Sequence, residues 1–165
     1  MRSRLWAAYM DIVYIESYYE EYRDFVFRVL FWIRVFCTIM TLVGVFVALA
    51  GRSGFLAAGL VLLQIIQLLF CFPLQRQIDA MNRFLPELSD LSSKADAVWL
   101  KYEYVRRSTE GENMWGLEQV SFLRDRLNEI ELQYTNGICF PQFNTIRRKA
   151  EKRQDAFVNS KYAQS

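Results

Sequence analysis

Two long apolar stretches near the middle of the sequence constrain the fold more than any other feature. The first covers residues 29–50 and contains Arg34 as its only charged residue, and the second covers residues 55–74 and contains none. Each has about the 20 residues that an α-helix needs to cross roughly 30 Å of hydrocarbon. We therefore predict two membrane-spanning helices.

The link between the two stretches is the short segment Gly51-Arg52-Ser53-Gly54. A connection of this length makes consecutive helices antiparallel neighbours, and its glycines permit a tight turn. A cleaved signal peptide is a poor alternative, because a long segment with several acidic residues precedes the first stretch. Two core helices of a soluble protein would require a larger shell than the rest of the chain provides. The pattern therefore predicts a transmembrane hairpin.

Basic residues flank the hairpin on one side of the membrane. Arg23 and Arg28 precede the first stretch and Arg76 and Arg83 follow the second, whereas Arg52 alone lies in the turn. The excess of arginine predicts that both termini are cytoplasmic. We expect an all-α membrane protein, a two-helix transmembrane hairpin with long cytoplasmic helical extensions and a small C-terminal helical body. Its parts are an N-terminal pre-membrane helix (1–28), the hairpin (29–74) and a cytoplasmic helical domain (75–165).

Apolar residues continue beyond the membrane at alternating spacings of three and four, which is typical of a helical packing stripe. The stripe on the N-terminal side predicts that the first helix begins well before the membrane, and a second stripe predicts a long extension of the second helix. Pro73 and Pro86 interrupt this extension, and we expect a kink or a restarted helix near both because proline removes a backbone donor. The first stripe comprises Leu5, Ala8, Ile12, Ile15, Tyr19, Tyr22, Val26, Val29 and Ile33, and the second includes Ile78, Met81, Leu85, Leu88, Ser92, Ala95, Trp99 and Tyr102.

Two more helices are expected near the C-terminus. A polar break at residues 108–113 precedes a third stripe, and the helix that carries it should end at the cap Asn136-Gly137. A basic segment follows Pro141 and predicts a final helix that frays toward Ser165. The third stripe comprises Val120, Leu123, Leu127, Ile130 and Tyr134.

Four polar residues lie inside the apolar stretches. Gln64 and Gln67 share one face of the second span, and Thr38 and Thr41 repeat the spacing of three on the first. One interpretation is that they form hydrogen bonds between helices, together with the close helix approach that Gly44 and Ala48 permit. The other is that the glutamines line a water-filled pore on the axis of an oligomer.

A basic run near the C-terminus is the strongest candidate for an anionic ligand. It could face solvent, contact anionic headgroups, or pair with the acidic segment 108–135. It could also bind a phosphate-bearing ligand together with arginines elsewhere in the cytoplasmic part. The candidate ligand-binding residues are Arg106, Arg107, Arg124, Arg126, Arg147, Arg148, Lys149, Lys152 and Arg153.

The commonest catalytic side chain and the usual catalytic motifs are missing from the sequence. The sequence has no histidine, and Cys37, Cys71 and Cys139 do not have metal-ligand spacing. It contains no Gly-rich phosphate loop and no nucleophile elbow. We therefore predict no catalytic residues, no metal site and no cofactor, and we expect the chain not to be an enzyme.

The layout resembles the SLATT family of bacterial two-transmembrane effectors. The resemblance rests on the acidic and aromatic segment Tyr18-Tyr19-Glu20-Glu21-Tyr22-Arg23, the hairpin with its glycine turn, and the amphipathic helix from Gln75 to Tyr104. It covers roughly residues 10–105 and does not reach the basic run.

The resemblance implies an antiviral effector in the bacterial inner membrane, encoded beside a nucleotidyltransferase or a similar enzyme, as in Hailong- and CBASS-type systems. Such an effector permeabilises the membrane when its cytoplasmic helices sense a nucleotide or oligonucleotide made by the partner enzyme. We expect a homo-oligomer in the lipid bilayer, with a tetramer as the working guess. The alternatives are a non-conducting membrane anchor or scaffold that recruits a soluble partner, and a membrane immunity protein.

Overall fold

A computed structural model describes residues 2–49, 54–105, 112–135, 138 and 140–162 of the chain. These residues form four α-helices, α1 (Arg2–Leu49), α2 (Gly54–Val105), α3 (Glu112–Thr135) and α4 (Asn144–Tyr162), and the described ranges contain no strand. The all-α prediction is confirmed. The turn residues 51–53, the cap Asn136-Gly137 and the last three residues lie outside the described ranges.

Helices α1 and α2 are much longer than a membrane span. They contain 48 and 52 residues, so each is roughly 70–80 Å long at 1.5 Å per residue. The predicted extensions of both helices are confirmed. Helix α2 continues through Pro73 and Pro86, so of the two expected alternatives the restarted helix is wrong and the kink stays a prediction. Each proline removes only one donor, and near Pro86 the burial of Leu85 and Leu88 offsets that loss.

The chain divides into two compact units. Unit 1 comprises Met1–Tyr22 and Ala80–Ser165, and unit 2 comprises Arg23–Asp79. Both α1 and α2 therefore contribute one segment to each unit. The predicted membrane borders at residues 29 and 74 fall inside unit 2 and stay predictions.

Unit 1 has a continuous apolar core built from α1, α2 and α3, with α4 packed on it. The predicted stripes supply that core. Leu5, Met81, Leu88 and Leu123 are completely buried, and Ile130 is almost so. Aromatic pairs join α1 to α2, because the ring centroids of Trp6 and Trp99 and those of Tyr19 and Phe84 are each 4.7 Å apart. Early residues of α1 therefore contact late residues of α2, as antiparallel helices require.

Unit 2 consists of the inner ends of α1 and α2. Two helices of the described chain are long and apolar enough to cross a membrane by length and composition. In unit 2 the buried apolar residues among those described are Val26, Leu30, Cys37 and Ile78. Most of its large apolar side chains face outward.

Candidate functional site

The helices of unit 2 approach each other closely at Gly44. A Cβ atom placed on Gly44 would overlap Cδ2 of Leu60 and would lie 2.9 Å from its Cγ. The Leu60 side chain therefore fills the space that the missing side chain leaves. This agrees with the expected close approach at Gly44, whereas the side chain of Ala48 lies outside the described residues.

A polar relay joins the two helices about one turn from that contact. The Gln64 amide nitrogen donates a hydrogen bond of 2.9 Å to the Thr41 hydroxyl, which in turn donates one of 2.8 Å to the Cys37 carbonyl. The hydroxyl thus acts as acceptor and donor at once, and the backbone carbonyl gains a second partner. The relay is an interhelical hydrogen bond of the kind expected for the first interpretation.

A second polar contact lies toward the other end of unit 2. The Arg34 guanidinium donates to the Gln75 amide oxygen at 3.0 Å, and the Gln75 amide nitrogen donates to the Asp79 carboxylate at 3.1 Å. The arginine charge is thereby linked to a carboxylate through one amide. Thr38 donates to the Arg34 carbonyl at 2.8 Å, which satisfies its hydroxyl within α1.

We call Arg34, Thr38, Thr41, Gln64 and Gln75 the polar track. Thr38 and Gln64 are exposed on the hairpin, so the track borders its surface. Gln67 is half-buried, and within the described ranges no hydrogen bond from its side chain is observed. Whether these side chains line a pore stays a prediction, because it depends on further copies of the chain.

The basic residues predicted to bind an anion are spread over two helices. Arg106 and Arg107 lie outside the described residues. On α3, Arg126 lies 2.5 Å from the Glu129 carboxylate and 3.8 Å from that of Glu87, and Arg124 is exposed. Arg126 lines a small cavity of about 140 Å³. Of the basic residues on α4, only Arg147 lines the larger cavity described below.

The basic run of α4 pairs with the acidic segment of α1. Arg153 lies 3.0 Å from Glu20 and 2.7 Å from Glu21, and Lys149 lies 3.6 Å from Glu21. The sequence suggested the acidic segment 108–135 as the partner, but these observed pairs go to α1. Arg147 pairs with Glu151 of α4 itself at 3.0 Å. Arg148 and Lys152 are exposed, and no ion pair of either is observed within the described part of the chain.

Sequence reasoning missed a polar junction that joins three helices of unit 1. Tyr9 of α1 donates to the Asp96 carboxylate of α2 at 2.8 Å. Lys161 of α4 forms an ion pair with Asp96 and donates to the Tyr9 hydroxyl at 2.9 Å. Burial, followed by the bond to Asp96, raises the pKa of Tyr9 well above its usual value. No spacing rule links these positions, because they meet only after three helices have packed.

A second cavity in unit 1 has a volume of about 520 Å³. We call it the tyrosine cavity, because Tyr14, Tyr18 and Tyr19 of α1 line it. The Tyr14 and Tyr18 ring centroids are 6.4 Å apart, and Tyr18 and Tyr19 meet edge to face at 5.7 Å. Phe143, just before α4, completes the aromatic part of the lining. The sequence analysis assigned these tyrosines no site.

Charged groups share the lining of the tyrosine cavity. Its carboxylates are Asp11, Glu131 and Glu151, and its one basic side chain is Arg147. Burial raises the pKa of Glu131, and it raises the pKa of Tyr19 to about 12. Burial is the largest cause of both shifts, because it disfavours the charged form of each group.

The Tyr18 hydroxyl is buried without a well-formed hydrogen bond to any described residue. Burial raises the pKa of Tyr18, and the backbone of Phe143 partly opposes that effect.

Comparison with known proteins gives no neighbour: no family model, no curated protein and no solved structure matches this chain. The SLATT resemblance therefore stays a prediction. The functional argument rests on the hairpin, the polar track and the tyrosine cavity.

Proposed function

We propose that this chain is a membrane-permeabilising effector. Its hairpin (29–74) inserts into a cell membrane with both termini in the cytoplasm, and several copies assemble around a water-filled path. Its cytoplasmic helices control that path in response to a nucleotide or oligonucleotide signal. In this proposal, opening dissipates ion gradients and halts growth of an infected bacterium.

The observation that carries the proposal is the exposure of apolar side chains in unit 2. Of the 24 large apolar side chains that are exposed among the described residues, 19 lie between Phe25 and Phe72. Leaving one such side chain in water costs about 1.5–3 kcal/mol relative to burial. A typical domain is stable by only about 5–15 kcal/mol, so this surface requires a nonpolar surrounding.

A lipid bilayer supplies that surrounding better than the alternatives do. In the most apolar windows of the two helices only 11% and 0% of the residues are buried, whereas a core helix of a soluble protein would be mostly buried. The exposed surface also runs along both helices rather than forming one patch. These features favour helices that face lipid on most sides.

Permeability requires more than one copy. A single hairpin has no interior, so water must be enclosed between hairpins. The polar track offers a face for this purpose, because Thr38 and Gln64 reach the hairpin surface. The Gln64 carbonyl oxygen keeps acceptor capacity after the amide nitrogen bonds to Thr41. Amide oxygens of several copies could replace part of the hydration shell of a cation.

Control by a ligand requires that the ligand bind the closed and open assemblies unequally. Helices α1 and α2 supply segments to both units without interruption, which supports coupling by rigid elements. The described basic residues do not surround one cavity. The proposal of a nucleotide signal therefore rests on the resemblance to the SLATT family. The proposed assembly is a tetramer.

The first test is to purify the full chain, reconstitute it into liposomes and measure dye release and ion flux. We expect the double variant Gln64→Leu with Gln67→Leu to lower the flux by about tenfold or more, because it removes the amides from the path. The matched control is Gln133→Leu on α3, an exposed glutamine outside the hairpin. Mass determination in detergent gives the number of copies. Recovery of folded chain without detergent, or a flux that the double variant leaves unchanged, would contradict the proposal.

A scaffold that recruits a soluble partner is the second candidate, and one observation favours it. Helix α3 exposes four large apolar side chains in unit 1, namely Met114, Leu117, Phe122 and Leu132. Such a face suits a protein partner. A scaffold predicts no ion flux, and it predicts that Phe122→Glu abolishes biological activity. A pore predicts flux from the purified chain alone.

A further inference from the structure

The tyrosine cavity is not used by the proposed pore, and it has the size of a ligand site. Its volume of about 520 Å³ lies within the range of roughly 300–1,000 Å³ that is typical of small-molecule sites. It is formed by α1, α3, α4 and the segment before α4, all within unit 1. A ligand there would contact three helices at once.

Aromatic rings form much of its wall. Tyr14 and Tyr18 are four residues apart on α1, so their rings lie on the same face of the helix. Tyr19 and Phe143 add rings from neighbouring positions. The faces of such rings carry partial negative charge and attract cations, by about 0.5–2 kcal/mol for each good contact.

The ionised groups that line the cavity also favour a positively charged ligand. Three carboxylates and one guanidinium line it, which leaves an excess of two negative charges when all are ionised. The Arg147 guanidinium donates to the Glu151 carboxylate at 3.0 Å, so its charge is compensated by a neighbour on the same helix. The lining therefore disfavours an anion.

The N-terminal end of α4 is the one feature that opposes this assignment. Asn144 begins α4 and lines the cavity, and a helix N-terminus acts like about half a positive charge. That is smaller than the excess of two carboxylates. The balance of the lining remains negative.

We propose that the tyrosine cavity binds a small organic ammonium ion, an alkyl amine or a quaternary ammonium. Its cationic group lies against the tyrosine rings, and the carboxylates of Glu131 and Asp11 neutralise its charge. Binding does not depend on the proposed pore, because all of these groups belong to unit 1.

The test is calorimetric titration of the full-length chain in detergent with choline and putrescine, and separately with AMP as an anionic comparison. We expect saturable binding of at least one of the two cations. We expect AMP neither to bind in the cavity nor to compete. Because the assay requires no ion flux, its result is independent of the liposome experiment.

Two substitutions and a matched control assign the binding to the cavity. Glu131→Gln keeps the shape but removes a charge, and we expect it to weaken binding by tenfold or more. Tyr14→Leu removes a ring and should weaken binding by about tenfold. Glu118→Gln alters an exposed carboxylate on the same helix as Glu131 and should change nothing. Circular dichroism spectra identify any variant that fails to fold.

Three outcomes would overturn the proposal. The first is that wild-type chain binds neither choline nor putrescine at millimolar concentration. The second is that Glu131→Gln and Glu118→Gln weaken binding equally, which would show a nonspecific charge effect. The third is that AMP competes with the cation and loses affinity in Arg147→Gln, which would assign the cavity to a nucleotide.

Discussion

The same two helices have opposite surroundings in the two units. In unit 1 the apolar stripes of α1 and α2 are buried, as Leu5 and Leu88 show with no exposed surface. In unit 2 the same helices expose Phe46 by 77% and Leu68 by 70%. Apolar residues alone therefore do not indicate a core. In unit 1 the apolar side chains pack against helices of the same unit. In unit 2 they stay exposed, so that a nonpolar solvent or other copies of the chain can contact them.

The largest expected effect is on the free energy of unfolding, and it distinguishes a buried leucine of unit 1 from an exposed leucine of unit 2. Leu88→Ala should lower the free energy of unfolding by about 2–5 kcal/mol, because it leaves a cavity in a packed core. Leu68→Ala should change it by less than about 0.5 kcal/mol, since its side chain contacts solvent or lipid. Denaturant unfolding in detergent, followed by circular dichroism, measures both. Equal effects would show that the two units do not differ in packing.

The next largest effect tests the contact between Gly44 and Leu60 in unit 2. Gly44→Ala places a methyl group against Leu60 and should destabilise the helix pair by about 1–3 kcal/mol. Gly59→Ala is the matched control, because a Cβ there meets nothing within 4 Å. Both changes gain similar helix propensity, so their difference isolates the contact. Leu60→Ala should rescue Gly44→Ala, and a failure to rescue would remove Leu60 as the cause.

A smaller effect concerns the polar junction of unit 1. Lys161→Met removes the cation that bonds Asp96 and Tyr9. We expect a loss of about 1 kcal/mol, because the pair is partly exposed to solvent. Amide hydrogen exchange should show faster exchange in α4 and unchanged exchange in the hairpin. If the exchange rate of the α4 amides is the same in the variant and the wild type, the polar junction does not stabilise that helix.

The smallest effect tests the relay in unit 2. Thr41→Val removes the hydroxyl that accepts from Gln64, and we expect a loss of about 0.6 kcal/mol, as is typical of hydrogen bonds between membrane helices. Thr38→Val is the control, because the hydrogen bond observed for the Thr38 side chain among the described residues stays within α1. A double-mutant cycle of Thr41→Val with Gln64→Leu gives the coupling. Zero coupling would show that the bond adds nothing.

Periodic features of the fold could be predicted from the sequence, because they depend on local spacing. The stripes through Leu88 and Leu123 predicted buried faces, and the structure confirms them. Residue spacing also predicted that Gly44 lies at a close approach. The restarted helix at Pro86 was wrong because local rules count the lost hydrogen bond but not the burial of the neighbouring leucines.

The candidate sites were harder to predict, because they are assembled from distant parts of the chain. The acidic partners of α4 are Glu20 and Glu21, more than a hundred residues earlier, whereas the sequence offered the nearer acidic segment 108–135 as one of several alternatives. The tyrosine cavity likewise combines α1 with Glu131 and Arg147. Charge patterns show which residues carry charge, but only packing shows which of them meet.

The attachment of α4 makes this helix sensitive to ionic strength. Among the α4 residues whose burial the structure describes, only Ile146 and Ala150 are buried. The contacts of this helix with α1 include ion pairs from Lys149 and Arg153 to Glu20 and Glu21. Dissolved ions screen such pairs, over about 8 Å at physiological concentration, but hardly weaken an apolar core. Rising salt should therefore loosen the C-terminal helix first, so buffer composition will determine which form of the protein an experiment observes.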